Sequence, residues 1–322
     1  MNTAPSPVLG LNDIFGQQSR DLRLLQGRLL DLFADHGCEE VIPPLLEKPE
    51  VLLAGAGRFL MDNTLVFSDP ADYGQLAVRS DMTPQIARIA ATRLQSESSL
   101  RLCYSGPVVQ ARPDIIDGSR QQWQTGVEYL GDASATCDLH VIHLAALAML
   151  EAGFAAPTIQ IGHVGIIRAL CADSALPLAD WIELLQRRSP EDVIHHLAND
   201  QLTDNMGQAL IDLASMQADS AWLSKHCNDF GDDFAQAAQA LLEIEREAVL
   251  LLEDNIHMVV DAALMPHFLY HTGLIFSGYS PQAPTAVLRG GRYDTMMAAH
   301  GRAMPAIGFS FDLTRWLLQA TT

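Results

Sequence analysis

An α+β fold is predicted for this chain: a mainly antiparallel sheet, flanked by helices and interrupted by a helical insertion. Three observations predict it. Strand-like segments fill much of the first 163 residues and return only after residue 257. The stretch between about 174 and 254 is rich in Ala, Leu, Asp and Glu and carries no strand signal. Amphipathic helical segments closed by glycine separate the early strands, which favours strands and helices in runs over a strict βαβ alternation.

Residues 17–36 place Leu22, Leu25, Leu29, Leu32 and Phe33 at three- to four-residue spacing before Gly37, an amphipathic helix with a glycine stop. "CEEVIPPLLEKPE" reads as a strand broken by Pro43 and Pro44, which suits an edge or an interface. "TLVFSD" and "GQLAVRSD" form a hairpin. Pro84 then stands at the preferred first position of a helix that aligns Ile86, Ile89, Ala90 and Leu94. "SLRLCYSGPVVQ" and "RQQWQTGVEYLG" are two further strands, and "LHVIHLAALAMLEAG" is a helix ending on glycine. "TIQIGH" is a strand and "VGIIRALCAD" a helix. After the insertion, strands are expected at "HMVVDAAL", "GLIFSGY", "TAVL" and "AIGFSF", with a last helix from Asp312. The whole of 1–322 is thus read as one core domain carrying the insertion.

The chain has 322 residues, 48% of them hydrophobic and 18% charged, as in an ordinary globular protein. Its 39 acidic against 20 basic residues give a net charge of -19, the reverse of a nucleic-acid backbone binder. The five cysteines are far apart and contain no CxxC pair, which predicts reduced thiols. "MNTAPSPVLGLND" lacks the basic flank and apolar run of a signal peptide, and "LHVIHLAALAML" is too short and too polar to span a bilayer. A cytoplasmic protein without membrane or nucleic-acid partners is expected, and no metal or cofactor signature is present.

Four segments could carry chemistry. In "RQQWQTGVEYLG", strand alternation puts Gln122, Gln124, Gly126 and Glu128 on one face and Trp123, Thr125, Val127 and Tyr129 on the other. The second face should pack on helices. The first is either a solvated sheet face or a site for a small cationic ligand, with room above Gly126. In "VRSDMTPQ", Asp81 and Thr83 could simply cap the following helix, but capping does not explain why Arg79 and Asp81 share a strand face. "RGGRYD" holds two glycines, most simply a turn, before Tyr293. In "AIGFSFDLTRW", Asp312 is a natural N-cap and Arg315 takes the third helical position against the helix dipole, a placement that hints at a function.

Taken in order, these segments resemble the catalytic core of the class II aminoacyl-tRNA synthetases, and within it the histidyl branch. "VIPPLLEKPE" is similar to motif 1, the two strands around Gln110 to motif 2, and "AIGFSFDLTRW" to motif 3. "VRSDMTPQ", "YHTGLIFSGY" and "GGRYD" resemble the histidine-reading segments. The resemblance runs from about residue 9 to the C-terminus. It implies that Asp81, Thr83 and Gln124 hold an α-amino group, and that Glu128, with Tyr293, reads an imidazole. Those roles match the chemistry, since both an ammonium and an imidazole N–H seek a carboxylate.

The departures from that family are as informative. Gln110 stands where a synthetase has the arginine for the ATP α-phosphate, and Pro266 stands where the histidyl branch has an arginine for the amino-acid carboxylate. His271 replaces a histidine-contacting tyrosine. Loss of one charge-stabilising donor typically costs about 100- to 1000-fold in rate, and Arg315 alone cannot compensate for two. The chain also ends seven residues after Arg315, so no anticodon-binding domain is expected.

A synthetase core with this pattern resembles the regulatory-subunit family of ATP phosphoribosyltransferase. That resemblance implies a non-catalytic, self-associating protein without cofactor, in a hetero-oligomer with the short-form catalytic subunit. There it would activate the partner and support feedback inhibition by L-histidine in the first step of histidine biosynthesis. The alternatives are a free-standing adenylating synthetase paralogue, opposed by Gln110 and Pro266, and a scaffold with a vestigial pocket, opposed by Asp81, Gln124 and Glu128.

Overall fold

The structure, a computed structural model, describes residues 7–55, 57–114, 117–198, 200–253, 255–266, 270–281 and 285–320. Part of the N-terminal stretch tested for a signal peptide (1–6) and part of the segment around Pro266 (267–269) lie outside the described residues.

In chain order the elements are α1 (Gly16–Asp35), β1 (Glu39–Glu40), β2 (Leu46–Glu47), α2 (Pro49–Leu52), α3 (Gly57–Asn63), β3 (Leu65–Ser68), β4 (Gln75–Val78), α4 (Thr83–Thr92), β5 (Leu100–Val109) and β6 (Gln121–Leu130). There follow α5 (Ala135–Glu151), β7 (Thr158–His163), α6 (Val164–Leu170), α7 (Leu178–Gln186), α8 (Pro190–Leu197), α9 (Asp204–Ala214), α10 (Ser220–His226) and α11 (Asp232–Leu251). The chain continues with β8 (His257–Val260), β9 (Leu274–Tyr279), β10 (Leu288–Arg292), α12 (Asp294–Ala299), β11 (Ala306–Asp312) and α13 (Leu313–Ala320). They fall into two units, Met1–Asp132 with Asp294–Thr322, and Ala133–Tyr293.

In the first unit the strand order is β1-β5-β6-β11. β5, β6 and β11 are mutually antiparallel, and β1 joins β5 in parallel. α1 packs on β5 and β6. It does so through Leu22, Leu25, Leu29 and Phe33, all buried, each worth about 1.5–3 kcal/mol relative to exposure. Phe33 meets Phe309 of β11 edge-on, with ring centroids 5.8 Å apart. The helix stops where predicted, with Gly37 at φ +81°. The stripe is therefore this unit's own core, and only the half-buried Leu32 departs from it.

Pro43 and Pro44 do break the "CEEVIPPLLEKPE" strand, and its two halves enter different sheets. β1 pairs with β5, whereas β2 pairs with β4 in a small β2-β4-β3 sheet that contains the predicted hairpin. Proline has no N–H to give to a ladder, so the chain changes sheet at the prolines. Their carbonyls are held instead by side chains. Arg79 Nη1 donates to Pro43 O at 2.9 Å and Gln85 Nε2 to Pro44 O at 2.8 Å.

The second unit has the order β10-β9-β7-β8, antiparallel except for the parallel β7/β8 pair. α5 packs against β9 and α11. Five helices, α7 to α11, occupy the stretch read as helical. One strand is misplaced in the sequence reading: "TAVL" contributes only Leu288, and the strand runs on through Arg292. The glycine pair is in the ladder and not in a turn, with Gly290 opposite Phe276 and Gly291 opposite Ile275. Local turn preference gives way here to pairing with β9.

Candidate functional site

The polar face of β6 is not solvated. Asp81 and Glu128 are each only 1% exposed, and Thr83 and Gln124 are buried with them. The room expected above Gly126 is filled by Tyr104, its register partner on β5. A Cβ at position 126 would sit 2.8 Å from the Tyr104 hydroxyl oxygen, so only glycine admits that ring. Across the sheet, Gly308 of β11 pairs with Glu128 and similarly leaves space for its carboxylate.

These residues form one hydrogen-bonded cluster. Thr83 Oγ1 donates to Glu128 Oε1 at 2.8 Å, and Tyr104 Oη donates to the same oxygen at 3.1 Å. Gln124 Nε2 donates to Asp81 Oδ1 at 2.9 Å, while Gln124 Oε1 accepts from Met82 N–H at 3.0 Å. The Met82 amide thus fixes which way the Gln124 amide points. Burial, reinforced by Glu128 and Asp81, holds the Tyr104 hydroxyl well above its ordinary pKa of 10. It remains a proton donor. Thr83, Tyr104 and Gln124 are neutral hydrogen-bonding groups, so the contacts they make with the two carboxyls are hydrogen bonds and not ion pairs. Such a cluster suits a cation with hydrogen-bond donors.

Capping is not the task of Asp81 or Thr83. The N-cap of α4 is Met82, without a side-chain cap, and Thr83 is already helical. The Thr83 amide reaches Asp81 Oδ1 only at 3.4 Å. Arg79 does not share a strand face with Asp81, because β4 ends at Val78. Its guanidinium ties together the carbonyls of Pro107 and Pro43, at 2.7 and 2.9 Å.

Arg315 is embedded among carboxylates of its own unit. Nη2 lies 2.9 Å from Asp114 Oδ2 and 3.7 Å from Asp117 Oδ2, and Nε lies 3.9 Å from Asp312 Oδ2. Asp312 is the cap read from the sequence, accepting N–H bonds from Thr314 and Arg315 at 3.0 and 3.1 Å. Burial pushes its carboxyl up to about 6, against the lowering effect of Arg315. Gln110 is half-buried, and its backbone is paired with Arg120.

In the second unit, His271 and Tyr293 are both buried. Tyr270 lies against each, with ring centroids 4.8 Å from His271 and 6.0 Å from Tyr293. His271 and Pro266 line a cavity, and Pro266 O accepts from Gln186 Nε2 at 3.1 Å. Tyr104 was missed by sequence reasoning. Its signal was present, since it lies on the alternating face of a strand destined to meet the Gly126 gap.

Among the described residues no group of His, Cys, Asp and Glu is arranged to hold a metal ion. Nor is any helix among them long and apolar enough to cross a membrane.

The family described as histidyl-tRNA synthetase matches residues 10–316. Fold and site together therefore define a class II synthetase-like protein of the histidyl type. A protein from Burkholderia cenocepacia is 35% identical over 314 residues, covering 94% of this chain and 78% of its own length; its name is ATP phosphoribosyltransferase regulatory subunit. One of the same name from Burkholderia multivorans is 36% identical over 310 residues, with the same coverage. The chain belongs to the family of ATP phosphoribosyltransferase regulatory subunits. Its fold is also that of a crystal structure from Bacillus halodurans described as an ATP phosphoribosyltransferase regulatory subunit/histidyl-tRNA synthetase. The TM-score is 0.87 at 22% identity, covering 99% of this chain and 85% of that one.

Proposed function

We propose that this protein is the non-catalytic regulatory subunit of an ATP phosphoribosyltransferase, acting in the cytoplasm in the first step of histidine biosynthesis. It associates with itself and with the short-form catalytic subunit, activates that partner, and senses L-histidine for feedback inhibition. The observation that carries the reading is the pair of buried carboxylates, Asp81 and Glu128, gathered in one hydrogen-bonded cluster with Thr83, Tyr104 and Gln124. Asp81, Thr83 and Gln124 take the α-amino group of histidine and Glu128 takes its imidazole. His271 and Tyr293 are assigned to the same ligand by resemblance.

Two further features support a role without adenylation. Gln110 and Pro266 cannot stabilise charge developing on phosphate. Arg315, the remaining cation of the motif, is engaged by Asp114 and its neighbours. The five cysteines are free thiols, in keeping with a reducing compartment.

The test is reconstitution. Mixed with a short-form catalytic subunit, the protein should co-elute with it, raise its phosphoribosyl transfer, and make that activity sensitive to histidine. Failure to co-elute, or activity indifferent to the added protein, would remove the proposal.

A further inference from the structure

Aromatic rings recur at every fourth position from 222 to 234 in the helical stretch of the second unit: Trp222, His226, Phe230 and Phe234. Trp222 and His226 stand one turn apart on α10, so they share a face. Gly231, at φ +87°, turns the chain into α11. Phe234 then meets Trp222 and Phe230 edge-on, with ring centroids 6.2 and 4.8 Å away. Trp222 and Phe230 are 15° from parallel with centroids 6.3 Å apart, and His226 lies 4.9 Å from the first and 6.1 Å from the second.

Leu223 and Phe234 are fully buried and carry the packing of this corner. Trp222, His226 and Phe230 are only half-buried. Two of these rings are pinned at the edge by a carboxylate. Trp222 Nε1 donates to Asp212 Oδ2 at 2.9 Å, and His226 Nδ1 lies 2.7 Å from Asp229 Oδ2. Contacts at the edge spare the ring faces, which carry the negative side of the aromatic quadrupole.

The surroundings are acidic beyond the average of the chain. Residues 178–251 include 14 acidic and 4 basic residues, a net charge of -10 out of -19 on less than a quarter of the sequence. Within 212–233 there are five aspartates and one lysine, Lys225. Asp219, Asp229, Asp232 and Asp233 are exposed. Such a surface repels nucleic acid and anionic metabolites and attracts a basic partner.

We propose that this corner docks an arginine-bearing basic segment of a partner protein. A guanidinium stacks on the open part of the rings, and neighbouring cations of the segment meet the aspartates. Arginine fits better than lysine, because its planar, weakly hydrated fork can lie flat on an aromatic face. The occupant is defined by its charge and its arginine, independently of the regulatory role proposed above.

Calorimetric titration of the full chain at low salt with a short synthetic glycine–arginine peptide, its glycine–lysine counterpart and spermidine tests this. The arginine peptide should bind about 3- to 30-fold more tightly than the lysine one, as expected for a guanidinium over an aromatic face. Trp222→Leu should lower its affinity by a similar factor and affect the lysine peptide less. Binding should weaken as salt rises. Equal affinities for the two peptides would show charge alone at work and overturn the proposal, as would no binding of either or no effect of Trp222→Leu. Spermidine bound as tightly as the arginine peptide would assign the surface to a small polycation and overturn it as well. Should Trp222→Leu not fold, the Trp222 indole N–H resonance of wild type must still shift on adding the arginine peptide, and a stationary resonance sinks the idea.

Discussion

Glu128 accepts hydrogen bonds from Thr83 and Tyr104 on one oxygen, while Gly308 leaves space beside the other. Replacing it with Gln keeps an acceptor for both hydroxyls and removes the charge. If the carboxylate receives the imidazole of histidine, Glu128→Gln should weaken histidine binding about 10- to 150-fold, as expected for a hydrogen bond to a charged group. Cooperative unfolding should be retained. Calorimetry on the two proteins decides, and equal affinities would show that histidine is read elsewhere. Strand periodicity alone was enough to place Gln124 and Glu128 on one face. Burial of that face was not legible, because it depends on Tyr104 and Gly308 from strands paired on either side. Arg315 teaches the same point. Its position against the helix dipole was visible in the sequence, but the approach of Asp114, 201 residues away, was not.

Among the elements, the first helix and the proline-broken segment differ in the apolar surface they leave exposed. The α1 stripe is consumed by the unit's own core, whereas Ile42 beside the prolines is 81% exposed, and Leu45, Val66 and Phe67 are exposed as well. Arg79 and Gln85 fix the proline carbonyls, so this apolar surface has a set shape. In a two-fold self-association each copy would bury its own Ile42. Ile42→Arg should then weaken the dimer by about 100-fold or more, from about 1.5–3 kcal/mol per copy. Sedimentation at micromolar concentration reads the outcome. Identical masses for variant and wild type would exclude this surface. Most elements were legible from period and glycine stops. The short helices α2, α3 and α12 were not read, and β10 was obscured by two glycines whose local preference is a turn and whose partner β9 had to be in place before they read as strand.

For the whole molecule, a net charge of -19 sets it against polyanions. Together with Gln110, Pro266 and an engaged Arg315, this predicts histidine-dependent ATP–pyrophosphate exchange no higher than background; a rate clearly above it would restore the enzyme reading. The division into units has a further consequence, for the order of folding during synthesis. Ala133–Tyr293 is one continuous stretch, so its contacts can form as soon as it leaves the ribosome. The other unit is split around it. β6 must wait for β11, and the two are separated by the whole of the continuous unit. Until residues 306–312 are made, β6 presents an unpaired edge, the kind of surface on which nascent chains aggregate. The carboxylate cluster on β6 is therefore assembled late, around a strand that arrives after the rest of its sheet.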